Sequence, residues 1–416
     1  MALNGQQPGS EMWWQNIQRQ GAPAVELLAC NRCAVTFYWR DPAGSEQTSD
    51  IHRVWLYVTG VTDHHQRAQP VSLIRVPGTD VWRWQTELPS NWRGSYCFIP
   101  SSQTDDFSDA ALSATPDMAA LREGWRKLLA HAQADSLNPH SWRGGRGHPT
   151  SALHLPHAPA QPGWEHEHVA TSPPLCVTWQ STRLNNCRRI WIFTTGEAAP
   201  AQRPLAILLD GQFWAESMPV WPALQAQTNA GALPPAVYVL IDVIDREHRA
   251  EELPCNDDFW LAVYDELLPL VRTHVAWCEE ANRTVVAGQS FGGLAALYAA
   301  LNWPQRFGCA LSQSASCWWP NRAGGDTPGR LEELVSSGRA GREPVSIFIE
   351  AGIREPLIFG AHQRLVPLLQ RTQQQLFWRQ VEGGHDALCW RGGLIDGLTA
   401  LWAEGSAPPA TYIRQE

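Results

Sequence analysis

The run Val285-Val286-Ala287-Gly288-Gln289-Ser290-Phe291-Gly292-Gly293-Leu294-Ala295-Ala296-Leu297 constrains this chain more than any other stretch. A short apolar strand enters Gly-x-Ser-x-Gly, and an Ala/Leu-rich stretch fit to start a helix follows at once. That context predicts a nucleophile elbow, a turn so sharp that its serine takes a strained backbone conformation. Gly288 and Gly292 are expected to be glycine because a β-carbon at either would clash with the neighbouring strand or helix. The turn lifts the Ser290 hydroxyl clear of the sheet, at a helix N-terminus that favours developing negative charge. A serine hydrolase is the expectation.

At 416 residues the chain is long enough for two domains. A net charge of −9 and the lack of any Lys/Arg block argue against a nucleic-acid partner. The first residues, Met1-Ala2-Leu3-Asn4-Gly5, carry no basic and apolar signal-peptide pattern, and no apolar run reaches membrane-spanning length. A cytoplasmic protein without a membrane partner is expected. Ten scattered cysteines read as reduced thiols. Cys30-Asn31-Arg32-Cys33 has zinc or redox spacing, but no second pair completes a site, so no metal and no cofactor are expected.

The fold class expected is an α/β-hydrolase-type doubly wound sheet preceded by an all-β sandwich. Residues 1–150 contain aromatic and β-branched runs at Val35–Trp39, Val54–Val58, Val81–Thr86 and Trp92–Ile99, separated by turn residues, with a helical patch at Ala119–Leu129. Their tryptophans read as core. Residues 151–174 are rich in Pro, Gly and His and read as an interdomain connection. Over the wider Pro/Gly/His-rich stretch 138–174, histidines 140, 148, 154, 157, 166 and 168 are taken as solvated side chains. From residue 175 to 416 apolar strands alternate with helices: Arg189–Phe193, Leu205–Leu209, Ala236–Ile241, Thr284–Ala287 and Val345–Ile349. In such sheets the ligand sits at the carboxyl ends of the strands.

An acyl-transfer serine needs a base, a group that orients the base, and oxyanion donors. Downstream of Ser290, His385 lies in the loop Val381-Glu382-Gly383-Gly384-His385-Asp386 and is the expected base. His362 falls in a helical stretch and reads as an ordinary surface histidine. Asp386 adjoins the base, but neighbours in a loop usually point apart. The acid is either Glu350 or Glu355, both after strand Val345–Ile349. Glu355, beyond the turn glycine, is preferred. The oxyanion donors expected are the Phe291 amide and that of Gln212 or Phe213.

Several ordered phrases resemble the enterochelin (ferric enterobactin) esterase family. They are Leu209-Asp210-Gly211-Gln212-Phe213-Trp214, Ile244-Asp245-Arg246-Glu247-His248-Arg249, Gly288-Gln289-Ser290-Phe291-Gly292-Gly293, Glu350-Ala351-Gly352-Ile353-Arg354-Glu355 and Gly384-His385-Asp386-Ala387-Leu388. The resemblance implies an immunoglobulin-like early-set domain ahead of the esterase domain. It also implies hydrolysis of the trilactone of a ferric catecholate siderophore, with iron carried by the substrate. Because that complex is a trianion faced with catechol rings, Arg246, Arg249 and Arg354 are candidate contacts, and Trp214 and Trp318 candidate stacking partners. Arg249 could instead pin a loop through Glu252. The alternatives are a feruloyl-type esterase of the same superfamily, or a catalytically inactive siderophore-binding protein.

Overall fold

The structure is a computed structural model that describes residues 7–140, 142, 147–164, 172–322, 327–372 and 374–403. The chain divides into two compact units. One comprises Met1–Pro159 together with Glu382–Cys389; the other comprises Ala160–Val381 and Trp390–Glu416.

The first unit contains two antiparallel sheets. One orders its strands Ala24–Leu27, Arg32–Arg40, Val81–Pro89, Ile74–Arg75; the other orders them Arg53–Val58, Arg93–Ser101, Ser151–His154. Strand alternation decides what each face buries. Val54, Leu56 and Val58 join Tyr96, Phe98, Phe37 and Trp82 in the core between the sheets. Trp55, Cys97 and Ile99 turn the other way and pack with Phe107, Leu121, Trp125 and Leu128. The last three belong to helix Met118–Leu128, so this sheet is covered on both faces. The tryptophans of these strands are core residues, as expected.

The connection expected over 151–174 begins later than the composition suggests. Ser151–His154 is a strand paired with Arg93–Tyr96. Its neighbouring histidines are tied to the sandwich: His154 Nδ1 lies 2.7 Å from Arg93 Nε, and His157 Nδ1 lies 2.8 Å from Ser90 Oγ. Polar residues made this stretch look solvated; His157 is exposed, but both it and His154 have a specific partner. Residues 165–171, with His166 and His168, lie outside the described residues. The helix Glu11–Gln20 was not anticipated; Ser10 caps it and Trp13, Trp14 and Ile17 bury its inner face.

The second unit is built on eight strands: β1 (Leu175–Ser181), β2 (Asn186–Thr195), β3 (Leu205–Leu208), β4 (Ala236–Ile241), β5 (Thr284–Gln289), β6 (Cys309–Gln313), β7 (Ser346–Gly352) and β8 (Gln375–Val381). Their order across the sheet is 8-7-6-5-3-4-2-1. Pairings from β8 through β4 are parallel; β2 is antiparallel to both β4 and β1. Every residue of β3, β4, β5 and β6 is buried. Such strands lie in the middle of a sheet covered on both faces, which is why β3, β4 and the first part of β5 read as apolar runs. The sheet order, with its one crossover reversal beside β3 and β5, puts the carboxyl ends of β3–β8 on one edge. Among the described residues no helix is long and apolar enough to cross a membrane.

Candidate active site

Ser290 sits between β5 and the helix Phe291–Asn302, with φ 59° and ψ −118°. That positive φ is costly for a residue with a β-carbon and marks stored strain. Hydrogen bonds fix it on both sides: Ser290 N donates to Gln313 O at 3.0 Å, and Ser316 N donates to Ser290 O at 3.0 Å. The turn demands glycine at Gly288, where a β-carbon would lie 2.4 Å from the Gly292 carbonyl carbon. Gly292 itself is roomier than expected, its imagined β-carbon no closer than 3.4 Å to any neighbour. The tighter second position is Gly293, at 3.0 Å from Gln313 O.

A polar row crosses the sheet beneath the strand ends. Gln289, Gln313, Glu350 and Arg379 are register partners on β5, β6, β7 and β8. Gln289 Nε2 donates to Gln313 Oε1 at 2.9 Å, and Gln313 Nε2 donates to Glu350 Oε1 at 2.9 Å. Arg379 Nε donates to Glu350 Oε2 at 2.6 Å, while Arg379 Nη1 reaches Asp396 at 2.6 Å. Burial pushes the Glu350 carboxyl up from its ordinary value, against the pull of Arg379. Both its oxygens are thus engaged in a paired, buried network.

Glu355 is placed differently. It is 1% exposed and precedes helix Pro356–Arg371; its Oε1 accepts from Ser314 Oγ at 2.6 Å and from Gly352 N at 3.1 Å. Ser314 Oγ in turn accepts from Trp390 Nε1 at 3.0 Å. A second hydroxyl also meets the nucleophile: Ser316 Oγ lies 3.3 Å from Ser290 Oγ. Neither Ser314 nor Ser316 was anticipated. The serine-rich phrase Ser312-Gln313-Ser314-Ala315-Ser316 directly after β6 was the available signal.

The turn after β3 is closed by the Phe213 amide, which donates to Asp210 O at 3.0 Å. The Phe291 amide opens the helix after Ser290.

Of the ligand candidates, Arg246 is exposed at the start of helix Arg246–Glu252 and has no ion pair among the described residues. Arg249 is committed elsewhere. Its Nη2 donates to Asp210 Oδ2 at 2.8 Å and to Gln289 O at 3.2 Å, and its guanidinium lies 5.7 Å from the Phe291 ring. It pins the elbow, through Asp210 rather than through Glu252, which pairs with Arg188. Trp214 is a correction: it is 1% exposed, with Nε1 donating to Gln289 Oε1 at 3.1 Å, so its faces are spent on the core. Trp318 is mostly buried 6.0 Å from Phe291, with exposed Arg322 over its ring at 5.1 Å. Arg354 is half-buried beside Glu355. His362 is also corrected: it is fully buried, its Nδ1 2.8 Å from Ile358 O and its ring stacked on Trp378.

In the first unit, His385 is buried, its ring centroid 5.1 Å from that of His65. Asp386 does point away, as expected of a loop neighbour. Its Oδ2 accepts from Ser95 N at 2.6 Å and from Ser95 Oγ at 2.8 Å. Cys30 and Cys33 do not act together: Cys33 is buried in the sandwich core and Cys30 is exposed.

Comparison with known proteins follows the same two units. Residues 34–164 match the family model described as "Enterochelin esterase, N-terminal", and residues 181–401 match "Putative esterase". The chain is 58% identical over 394 residues to the iron(III) enterobactin esterase of Escherichia coli O6:H1 strain CFT073, covering 95% of this chain and 96% of that one. It superposes on the ferric enterobactin esterase of Salmonella typhimurium with a TM-score of 0.89 at 58% identity, covering 94% and 98% of the two chains. The Shigella flexneri enterobactin esterase solved in the presence of enterobactin gives a TM-score of 0.85 at 56% identity, covering 95% and 99%. With its strained serine elbow, its two family matches and this identity along nearly its whole length, the chain belongs to the iron(III) enterobactin esterase family.

Proposed function

We propose that this protein is a serine esterase that opens the trilactone of ferric enterobactin, releasing 2,3-dihydroxybenzoylserine units and with them the iron. The observation that carries the reading is Ser290 at φ 59° on the turn between β5 and its helix, in a chain 58% identical to an iron(III) enterobactin esterase. That identity and coverage favour the siderophore over a feruloyl ester.

Ser290 Oγ attacks a lactone carbonyl carbon while His385 takes its proton. The carbonyl electrons move onto oxygen, where the Phe291 and Gln212 amides receive the charge; one such donor is worth about 3 kcal/mol of transition-state stabilisation. Collapse breaks the C–O bond to the neighbouring serine unit, whose oxygen takes the proton back from His385. Water then attacks the acyl-Ser290 ester by the same route and restores the hydroxyl. Glu355 is the acid we assign. The alternative, Glu350, has both oxygens bonded within the row across β5–β8, whereas Glu355 lies beyond the strand end and accepts from Ser314 and Gly352. Opening the macrocycle ends the preorganisation of the three catechols, so iron affinity falls. The exposed guanidinium of Arg246 meets the trianion, and Arg322 over Trp318 is a second cation we add to that role.

We place the reaction in the cytoplasm, where ten free cysteines are compatible with a reducing environment. Incubating the protein with cyclic, linear and glucosylated ferric siderophores and identifying the products by mass spectrometry tests the reading. Failure to cleave any of them, with methyl ferulate hydrolysed instead, would overturn it.

A further inference from the structure

We infer that the N-terminal β unit is part of the catalytic apparatus, because it seats the segment that carries His385, with Ser95 as a positioning residue. This rests on His385 being the base. Glu382–Cys389 is a short piece of chain flanked on both sides by the α/β unit, yet it belongs to the β unit by its packing. Two adjacent glycines, Gly383 and Gly384, precede the histidine, so the segment has little conformational preference of its own. Its geometry has to come from what it packs against.

The contacts are specific. Asp386, 4% exposed and next to the base, takes the Ser95 amide and the Ser95 hydroxyl on one oxygen and the Leu388 amide on the other, at 2.6, 2.8 and 2.9 Å. All three donors are neutral, and hydrogen bonds to a buried carboxylate are among the strong ones, so losing any of them is costly. Ser95 Oγ also lies 3.3 Å from Thr59 Oγ1, on the turn that follows strand Arg53–Val58. That turn meets the segment directly: a β-carbon on Gly384 would stand 2.6 Å from Gly60 Cα. Arg93 closes the far end, its carbonyl accepting from Cys389 Sγ at 3.5 Å.

The same turn supplies a face for the base. Gly60 N donates to Asp63 Oδ2 at 3.0 Å, fixing the start of the short helix His64–Gln66. His65 from that helix lies against the His385 ring, and His64 stacks behind it at 4.2 Å with its Nδ1 2.9 Å from Tyr57 Oη. The side chains that orient the segment therefore lie some 290 residues upstream, in a sandwich that supplies neither the nucleophile nor the oxyanion donors.

The test uses Ser95→Ala and Asp386→Ser in the full chain, beside His385→Ala. Serine at 386 keeps a short acceptor for the Leu388 amide but no longer reaches Ser95. We expect kcat on ferric enterobactin to fall about tenfold for Ser95→Ala and about a hundredfold for Asp386→Ser, because small misplacements of a catalytic group cost on that order. KM should stay within about twofold, and fluorophosphonate labelling of Ser290 should slow in step with kcat. Parental kcat and labelling in both variants, with His385→Ala inactive, overturns the inference alone. Parental turnover by His385→Ala overturns the base assignment beneath it. Should Asp386→Ser fail to fold, Ser95→Ala decides by the same criteria.

Discussion

Around Ser290 the backbone is held by its own neighbourhood: a strand, a five-residue turn, a helix, and a glycine whose missing β-carbon lets Gly292 come within 2.4 Å of where it would be. Around His385 the local contribution is smaller: Asp386 bonds the Leu388 and Cys389 amides at the start of helix Ala387–Trp402. Two glycines leave the segment free, and Ser95, Gly60 and His65 from the β unit define it. The first region stores strain in a backbone torsion; the second relies on hydrogen bonds and packing made across a long stretch of chain. With Ser290 and His385 in the roles we propose, the nucleophile is robust to changes elsewhere and the base is sensitive to them.

That contrast can be broken at its strongest point first. Ser290→Ala should abolish turnover, a loss of about a millionfold, while ferric siderophore still binds as followed by tryptophan quenching. Loss of binding as well would mean the elbow shapes the ligand site and not only the nucleophile. His385→Ala should cost about four orders of magnitude in kcat with thermal stability near the parent's. Near-normal turnover would dissolve the comparison, because the seated segment would then carry no base.

The two glutamates sharpen it further. Glu355→Gln should lower kcat by about one to two orders of magnitude, with a small change in melting temperature. Glu350→Gln should chiefly destabilise, by about 3 kcal/mol, since it removes the buried one of the two carboxylates that pair with Arg379. A reversed ranking in the kinetics would move the acid to Glu350. At the elbow, Gly288→Ala should yield little folded protein, whereas Gly292→Ala should fold with a modest loss, measured by soluble yield and circular dichroism.

The smallest effect concerns His362. Burial lowers its pKa below the ordinary 6.5. The unfolded chain therefore binds the proton more readily, so stability is fullest above about pH 6.5 and falls as the pH drops below it. His362→Phe should flatten that limb in denaturant titrations at pH 5 and pH 7. An unchanged slope would mean another group sets it.

Much of the frame was legible. Continuous apolar runs at Leu205–Leu209, Ala236–Ile241 and Thr284–Ala287 gave the central parallel strands almost residue for residue, because strands buried on both faces must be apolar throughout. Gly-x-Ser-x-Gly gave the elbow for a similar reason: its constraint lies within five residues. Other features were hidden. Cys309–Gln313 and Leu175–Ser181 went unread, one carrying polar residues for the row across the sheet, the other an exposed edge strand. Trp214 looked like a ligand platform only because a sequence does not reveal which way an indole faces.

What the amino-acid order determined by itself was a strained serine between strand and helix, an α/β sheet to carry it and a tryptophan-rich sandwich before it. Each follows from steric limits and side-chain periodicity acting over a few residues. What only the tertiary structure decided was which polar side chains are already committed. Glu350 to Arg379, Arg249 to Asp210 and Asp386 to Ser95 are pairings between residues 29, 39 and 291 positions apart. Nothing local encodes such a partner, because a buried charge is satisfied by whichever donor the completed fold brings within about 3 Å.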